Sequence, residues 1–559
     1  MYTQDFDPVS SSLGWSSIFA ALAVLTLFVL LGGLRMAAQW AALIALGVAM
    51  LVAMIVYSMP VDQTALSASE GAAFGLFPIM WIVVAAIWVY NMTVETGHFA
   101  VLRRSFGAIS TDQRIQAVIV AFCFGALLEA LAGFGTPVAI TSVMLIALGF
   151  RPIKAASLAL VANTAPVAFG AIAIPIVTLS EITGLPKDDL GAMVGRQTPF
   201  LALIVPLILV GMVDGTRGIR QAWPAAVVGG LAFAVGQFVC SNYISVELTD
   251  IVASLVATAA IVLTLRVWQP SEPLLGDDAG RFTRPAVAGG EAHNPSMEAE
   301  VRRRDDTQKD PPADVVRAYS PYLIIIAIFS IAQIPTVKDA LAESPWTTTF
   351  QWPGLDVVSP DGEPLSSLTY NVNWLPAAGT LMLISGLITM AVLRVSPARS
   401  VKVFGGTLNQ LKWAILTVAS VLALAYVMNQ SGQTITLGLW AAGAGDAFAF
   451  LSSLIGWLGV AVTGSDTSSN ALFGALQVTA ANDAGLSPTL LAAANSSGGV
   501  LGKMISPQNL AIGAAAVAMA GQEGDLFRKV LGWSILLVLI MCILVYLQST
   551  AVLDWMVVT

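Results

Sequence analysis

The sequence predicts an all-α, polytopic membrane protein with about 12 transmembrane helices and two re-entrant hairpins arranged as inverted repeats. Three observations lead to this prediction. Hydrophobic residues make up 57% of the 559 residues and charged residues only 11%, against about 25% charged residues in soluble proteins. Two apolar stretches are interrupted by glycine-rich polar sequence, and matched residues in the two halves recur at a nearly constant spacing.

The apolar segments that are long enough to cross a bilayer, which takes about 20 residues, set the predicted organisation. They begin near Trp15, Ala37, Gly71, Ala155, Gln197, Ala222, Glu247, Tyr319, Trp374, Trp413, Ser487 and Val530. We expect a two-helix segment (1–70), a first repeat (71–220), connecting helices (221–268), a flexible cytoplasmic linker (269–318), connecting helices with an external loop at 336–373 (319–404), and a second repeat (405–559).

Two further apolar stretches, 115–149 and 447–481, are broken midway by GFGTP and GSDTSSN. Unpaired backbone amides are costly in hydrocarbon, so broken backbone at membrane depth must be buried in protein or line a watery cavity. We therefore predict a re-entrant hairpin at each stretch. A broken helix is predicted after each hairpin, at 155–176 and 487–513, where Pro166, Pro175 and Pro507 interrupt the helical hydrogen bonds.

The two halves carry matching sparse patterns. Asn163 opens NTAPVAFGAIAIP and Asn495 opens NSSGGVLGKMISP, 332 residues apart, and Gly133 and Gly464 are 331 apart. The placement of Lys and Arg, which marks cytoplasmic loops, gives the two units opposite orientations. It also places both termini outside, together with loops that carry mainly acids, among them Glu70, Glu181, Glu247, Asp250 and Asp356.

Inverted repeats with discontinuous helices are typical of secondary transporters, whose site lies near the bilayer midplane. A broken helix exposes N–H groups that attract a carboxylate, and neighbouring hydroxyl and amide groups suit a small hydroxy-carboxylate. The candidate substrate-binding residues are Gly135, Thr136, Asn163, Thr164, Thr467, Ser468, Asn470, Asn495, Ser496, Ser497 and Lys503. For any single hydroxyl, helix capping or backbone bonding is the competing interpretation.

Ionisable residues within apolar sequence are functional candidates, because charge at membrane depth is costly. Lys503 is the candidate countercharge for an anion, and Glu129 and Asp466 are candidates to carry a coupling proton. Pairing of Lys503 with Asp466 or Glu129 to hold a hairpin shut remains an open alternative. Since the second half holds Asp466 and Lys503, we expect most of the charge chemistry there.

Other functions are weighed against proton-coupled transport. Sodium-coupled organic anion transport stays open, because carbonyl groups and Asn side chains also bind sodium, and a passive channel is an alternative of another class. An enzyme is disfavoured because the sequence carries no nucleophile motif, no metal-ligand set and only two histidines. We expect no catalytic residue, metal, cofactor or nucleic acid, and the chain as monomer or homodimer in the lipid bilayer.

The sequence resembles the bacterial L-lactate permease family along nearly its whole length. The resemblance rests on DFDP, EALAGFGTPVAI, VANTAPVAFGA, GRQTPF, WQP, GSDTSSNALFGALQ, GKMISPQNLAIG and DLFR. It implies proton-coupled uptake of lactate, and often glycolate, through the bacterial inner membrane. It also implies kinship with ion transporters whose paired hairpins move as an elevator.

Overall fold

The structure is a computed structural model that describes residues 1–34, 36–133, 135–274, 310–332, 334–360, 362, 364–365, 368–519 and 522–558. Most of this chain is helical. Helices before the linker are Leu13–Ala20, Leu22–Phe28, Ala38–Ile55, Val61–Phe74, Trp81–Glu95, His98–Gly107, Gln113–Gln116, Gly125–Ala132, Thr136–Ala147, Pro152–Ala162, Gly170–Thr183, Lys187–Val194, Thr198–Tyr243 and Thr249–Val267. Those after it are Pro312–Ala332, Pro335–Ala342, Ala378–Val392, Pro397–Gln430, Gln433–Ala442, Phe448–Thr463, Asp466–Ala484, Pro488–Gly502, Pro507–Ala516 and Glu523–Gln548.

Ten helical segments of the described chain are long and apolar enough to cross a membrane, or eleven if one strongly bent pair is a single span. One of these ten segments contains two of the about 12 predicted spans. The spans predicted near Gln197 and Ala222 are the two arms of Thr198–Tyr243, whose backbone leaves the helical conformation at Asp214 and Gly215. The arms lie side by side, because Thr198 Oγ1 donates to Gln237 Oε1 at 3.0 Å. The span predicted near Trp374 is the short helix Ala378–Val392, and the one predicted near Trp413 already begins at Pro397.

Small residues bring the helices of this bundle close together. Helix Ala38–Ile55 buries an alanine face and packs against helix Pro397–Gln430. Gly71 of a third helix lies directly against the backbone of Ala423 in that same long helix. Close backbone approach favours helix association in a membrane, where lipid tails are as apolar as leucine side chains.

Both predicted hairpins are helix pairs joined at glycine. The first runs from Gln113 to Ala132 and then through Thr136–Ala147, and its connection contains Gly133 and Gly135 with φ of 38° and 81°. The second joins Phe448–Thr463 to Asp466–Ala484 at Gly464, where φ is 76°. Their re-entrant course and inverted orientation stay predictions, since Gln113–Leu131 and Gly445–Thr463 are each long and apolar enough to cross a membrane.

Both predicted broken helices are interrupted. Pro152–Ala162 and Val167–Thr183 meet at a bend of 66°, and Ala171–Ala173 adopt left-handed backbone conformations just beyond it. In the second half a tight turn, Lys503–Ile505, separates Pro488–Gly502 from Pro507–Ala516. The first broken helix thus spans 152–183 against the predicted 155–176, and the second spans 488–516 against the predicted 487–513.

The polar insertion predicted at 336–373 and the N-terminus contain short strands, so the all-α prediction does not hold for these two segments. Strand Thr348–Gln351 pairs antiparallel with Thr369–Val372, and the N-terminal Tyr2–Thr3 pairs parallel with Val357–Val358. The linker predicted at 269–318 lies outside the described residues for 275–309. Its final residues are helical, because the next helix begins at Pro312.

Loops that the charge pattern places on the cytoplasmic side contact one another. The buried Arg114 guanidinium donates hydrogen bonds to Asp112 at 2.6 Å and to Asp214 at 3.2 Å. Lys154 Nζ donates to the carbonyl oxygen of Val213 at 2.6 Å. Burial opposes ionisation of Asp112, but the hydrogen bonds from Arg114 outweigh it and hold the pKa of Asp112 below its ordinary value.

Loops predicted to lie outside also contact one another. Lys338 pairs with Asp188 at 3.0 Å, and the N-terminal amine lies 3.4 Å from Asp356. Lys187 pairs with the buried Glu247, and this ammonium overcomes the effect of burial and lowers the pKa of Glu247. The two groups of loops are therefore as predicted, while the assignment of one group to the cytoplasm and of both termini to the outside stays a prediction.

Candidate functional site

A cavity of about 260 Å³ lies where the second hairpin meets the two broken helices. Hairpin residues 463–468 form one wall, and the first broken helix contributes Gly170, Ala171 and Pro175. Lys503 and Gln508 come from the second broken helix. The first hairpin contributes Glu129 and Gly133, and two other helices contribute Ala38, Gln39, Trp413 and Thr417. The cavity thus brings together elements from both halves of the sequence.

An ion pair between Lys503 and Glu129 forms part of the cavity wall. Lys503 Nζ donates to Glu129 Oε1 at 2.5 Å, and the residues are only 7% and 2% exposed. Glu129 also packs tightly, because a Cβ at Gly170 would lie 2.9 Å from its Oε1. Pairing of Lys503 with Glu129 was one of the alternatives that the sequence left open, and the structure contains this ion pair. Glu129 comes from the first half of the chain, whereas Lys503 and Asp466 come from the second, and the expectation that most of the charge chemistry belongs to the second half stays a prediction.

Asp466 is the second carboxyl group of the cavity. It occupies the first turn of helix Asp466–Ala484 and is 3% exposed. Ser496 Oγ donates to Asp466 Oδ2 at 2.5 Å, while Oδ1 has no hydrogen-bond partner among the described residues. The N-terminal turn of this helix, with half-buried Thr467 and buried Ser468, faces the cavity. Ser465 Oγ accepts a hydrogen bond from the N–H of Ser468, and the remaining N–H groups of this first turn favour the binding of an anion.

Two predicted amides, Asn470 and Asn495, form hydrogen bonds outside the cavity lining. Asn495 Nδ2 donates to Asn470 Oδ1 at 2.9 Å, and Gln477 donates to Asn495 Oδ1 at 3.1 Å. Asn470 Nδ2 donates to the carbonyl oxygen of Pro175 at 3.0 Å. The Asn470–Pro175 hydrogen bond holds the second hairpin against the first broken helix, and the two hydrogen bonds of Asn495 connect the second hairpin to the second broken helix.

The other predicted binding residues lie outside the cavity lining. Thr164 donates to the backbone oxygen of Val161, and Ser497 donates to Gln197 at 2.6 Å. Thr136 begins its helix, and Gly135 packs against Ile512 and Asn509. Asn163 is buried, and both polar atoms of its side chain lack partners within the described chain. Their roles in substrate binding stay predictions.

Residues that the sequence did not single out also line the cavity. Gln39 and Thr417 are polar groups at ordinary positions of apolar helices, where nothing in the sequence distinguishes them. Asp250 and Glu70 were predicted to lie in outer loops, and the structure corrects this, since they are buried within helices Thr249–Val267 and Val61–Phe74. Glu247 does lie in a loop, but it is buried as well. The sequence offered one indication that Asp250 could be buried, which is its position at the edge of an apolar segment.

The fold and this cavity define a multi-pass membrane protein with a small, charged internal site. This arrangement is typical of a solute transporter. A sequence profile described as L-lactate permease matches residues 16–552. The L-lactate permease of Bacillus subtilis (strain 168) is 41% identical over 100% of both chains, and the glycolate permease GlcA of Escherichia coli (strain K12) is 41% identical over 98% of both. The chain belongs to the L-lactate permease family. It is a permease and not an enzyme, as the sequence predicts.

Among solved structures, the likeness is loose. Neisseria gonorrhoeae MtrF, described with a class of antimetabolite efflux pumps, is 14% identical with a TM-score of 0.45, covering 87% of this chain and 83% of that one. This TM-score supports no conclusion about mechanism. Among the described residues, no group of three or more His, Cys, Asp or Glu side chains is placed to hold a metal ion.

Proposed function

We propose that this permease takes up L-lactate, and also D-lactate and glycolate, by proton symport across the bacterial inner membrane. The names of its relatives, L-lactate permease and glycolate permease, support the substrate class. The observation that carries the proposal is the buried Lys503–Glu129 pair beside the cavity. It offers one cation for a monocarboxylate and one carboxylate that can accept a proton.

The cavity suits a small anion. Its volume of about 260 Å³ lies just below the roughly 300–1,000 Å³ of pockets for drug-sized ligands. In the proposal, the substrate carboxylate contacts Lys503 and the N-terminal turn of helix Asp466–Ala484. Ser468 and Thr467 then supply hydroxyl groups that can bind the substrate's own 2-hydroxyl.

In the proposal, substrate and proton transport are coupled because the substrate carboxylate and Glu129 compete for Lys503. A substrate carboxylate that binds Lys503 displaces Glu129, which leaves a buried carboxylate without a cation. An uncompensated buried charge is costly, so Glu129 takes up a proton. One proton then accompanies each monovalent anion. Such a cycle is electroneutral and avoids about 2.3 kcal/mol of electrical work per charge for each 100 mV of membrane potential.

Uptake of labelled lactate into proteoliposomes tests this function. An inward proton gradient without sodium is expected to drive accumulation above the external concentration, and an uncoupler should abolish it. Accumulation that requires sodium instead would favour sodium coupling, to which the unpartnered amide oxygen of Asn163 lends some support. Entry that never exceeds equilibration would indicate a channel. Either result would contradict proton symport.

Asp466 is the alternative proton carrier, and the Asp466→Asn variant distinguishes it from Glu129. Asn is a neutral isostere that can still accept the hydrogen bond from Ser496. If Asp466 carries the proton, the variant should exchange lactate across the membrane but lose accumulation by at least about tenfold. Accumulation at the level of the unmodified protein would assign Asp466 to binding or structure, and Glu129→Gln measured in parallel should then show the loss.

A further inference from the structure

Asp250 is a buried carboxyl group outside the substrate cavity, and it has no role in the transport cycle proposed above. It is the second residue of helix Thr249–Val267 and is 1% exposed. Gln237 Nε2 donates to its Oδ1 at 3.1 Å, and its Oδ2 has no partner in the described part of the chain. The nearby Glu247, in contrast, is neutralised by Lys187.

An ionised carboxylate in this environment would be costly. No described Lys or Arg forms an ion pair with Asp250, and a single hydrogen bond from a neutral amide does not compensate a buried charge. The protein avoids this cost when Asp250 holds a proton. Ionisable groups inside a membrane protein carry a free-energy cost, so those that are present are candidates for a function. For an acid that is held neutral, that function is proton transfer.

Asp250 is connected to the transport site from two directions. Gln237 Nε2 also donates to the carbonyl oxygen of Ala165, at the break of the first broken helix, at 3.3 Å. Helix Gly125–Ala132, which carries Glu129, packs against helix Thr249–Val267. Asp250 and Glu129 therefore lie on two helices that contact each other.

Asp250 also borders the predicted outer loops. Thr249 Oγ1 donates to the carbonyl oxygen of Ser245, whose hydroxyl donates to Glu247. The titratable groups around Asp250 are therefore Glu129 on the cavity side, Cys240 on the neighbouring helix Thr198–Tyr243, and Glu247 on the loop side. Asp250 lies between the predicted outer surface and the Glu129–Lys503 pair.

We propose that Asp250 is a proton-binding group that passes a proton from the predicted outer side to Glu129. The proton leaves the Asp250 carboxyl when Glu129 separates from Lys503, and Asp250 is then reprotonated from the outer side. The inference rests on the proposed proton symport and adds a group behind the substrate cavity to it. Asp250 does not contact the substrate in this scheme.

The test compares two activities of the Asp250→Asn variant in proteoliposomes. Asn mimics protonated Asp250, so exchange of labelled for unlabelled lactate, which requires no net proton transfer, should stay within about twofold of the unmodified protein. Accumulation driven by a proton gradient should fall at least about tenfold. Asp188→Asn, the same substitution at an exposed outer acid, is the matched control and should change neither activity.

Each other outcome overturns the inference. If Asp250→Asn accumulates lactate normally, or if exchange falls together with accumulation in a protein of unchanged thermal stability, Asp250 has a structural or binding role. If Asp250→Asn does not fold, Asp250→Glu replaces it, and it must accumulate more lactate than Asp250→Gln. Failure of the unmodified protein to respond to a proton gradient would instead contradict the proposed function itself.

Discussion

Replacing Lys503 with alanine is expected to abolish lactate accumulation and to destabilise the protein. The substitution removes the only cation near the cavity among the described lining residues, and it leaves Glu129 buried without a partner. Breaking a buried ion pair on one side typically costs about 3 to 5 kcal/mol of stability. Loss of the countercharge should weaken lactate binding at least about 30-fold, since truncating one partner of a buried charge contact costs about 2 kcal/mol or more.

A charge-neutral double variant separates binding from stability. In Lys503→Gln combined with Glu129→Gln neither residue is charged, so the thermal unfolding temperature in detergent should recover most of the loss seen with Lys503→Ala. Lactate binding, measured by calorimetry or by protection against unfolding, should stay lost. If lactate still binds the double variant as it binds the unmodified protein, Lys503 is not the countercharge and the pair serves only to hold two elements together.

Replacing Gly456 with alanine is expected to disrupt the second half of the site. A Cβ at this position would overlap the carbonyl oxygen of Asn495 and lie 2.7 Å from its carbonyl carbon. The opposing helix has the same construction, since Gly498 and Gly502 lie directly against the backbone of helix Phe448–Thr463. Overpacking typically costs about 1–3 kcal/mol, and a clash with backbone on both sides leaves little room to relax.

The consequence should extend to transport. A shift of Asn495 breaks its hydrogen bonds with Asn470 and Gln477, and Ser496 next to it holds Asp466. We therefore expect a lower unfolding temperature in detergent together with reduced lactate uptake. The control is Gly532→Ala on helix Glu523–Gln548, where a Cβ meets nothing within 4 Å, so stability should be unchanged or slightly higher. Equal stability of both variants would contradict the close packing of the two helices.

Some residues of the site could be predicted from the sequence because they are charged or polar within otherwise apolar segments. Glu129, Asp466 and Lys503 are ionisable residues within apolar stretches. Because a charged side chain at membrane depth is costly, such residues are candidates for a function. The glycines at 133 and 464 were recognisable as connections because they interrupt apolar helices with polar sequence. The structure places all three charged groups at one cavity.

Other parts depend on contacts between distant residues. Lys503 and Glu129 are 374 positions apart, and nothing local to either indicates which acid the lysine meets. Asp250 and Glu70 looked like loop acids because an acid at the end of an apolar segment has the same sequence signature whether it faces water or the protein interior. Gln39 and Thr417 line the cavity only because of the way their helices pack.

The sequence by itself determined the membrane-embedded helical class, the family and the positions where helices break, because hydropathy, glycine and proline act over a few neighbouring residues. Only the tertiary structure decided which charges pair, which acids are buried and which walls enclose the cavity. Those properties depend on distances between segments from different parts of the chain. Electrostatic and packing energies change steeply with these distances, and local sequence does not encode them.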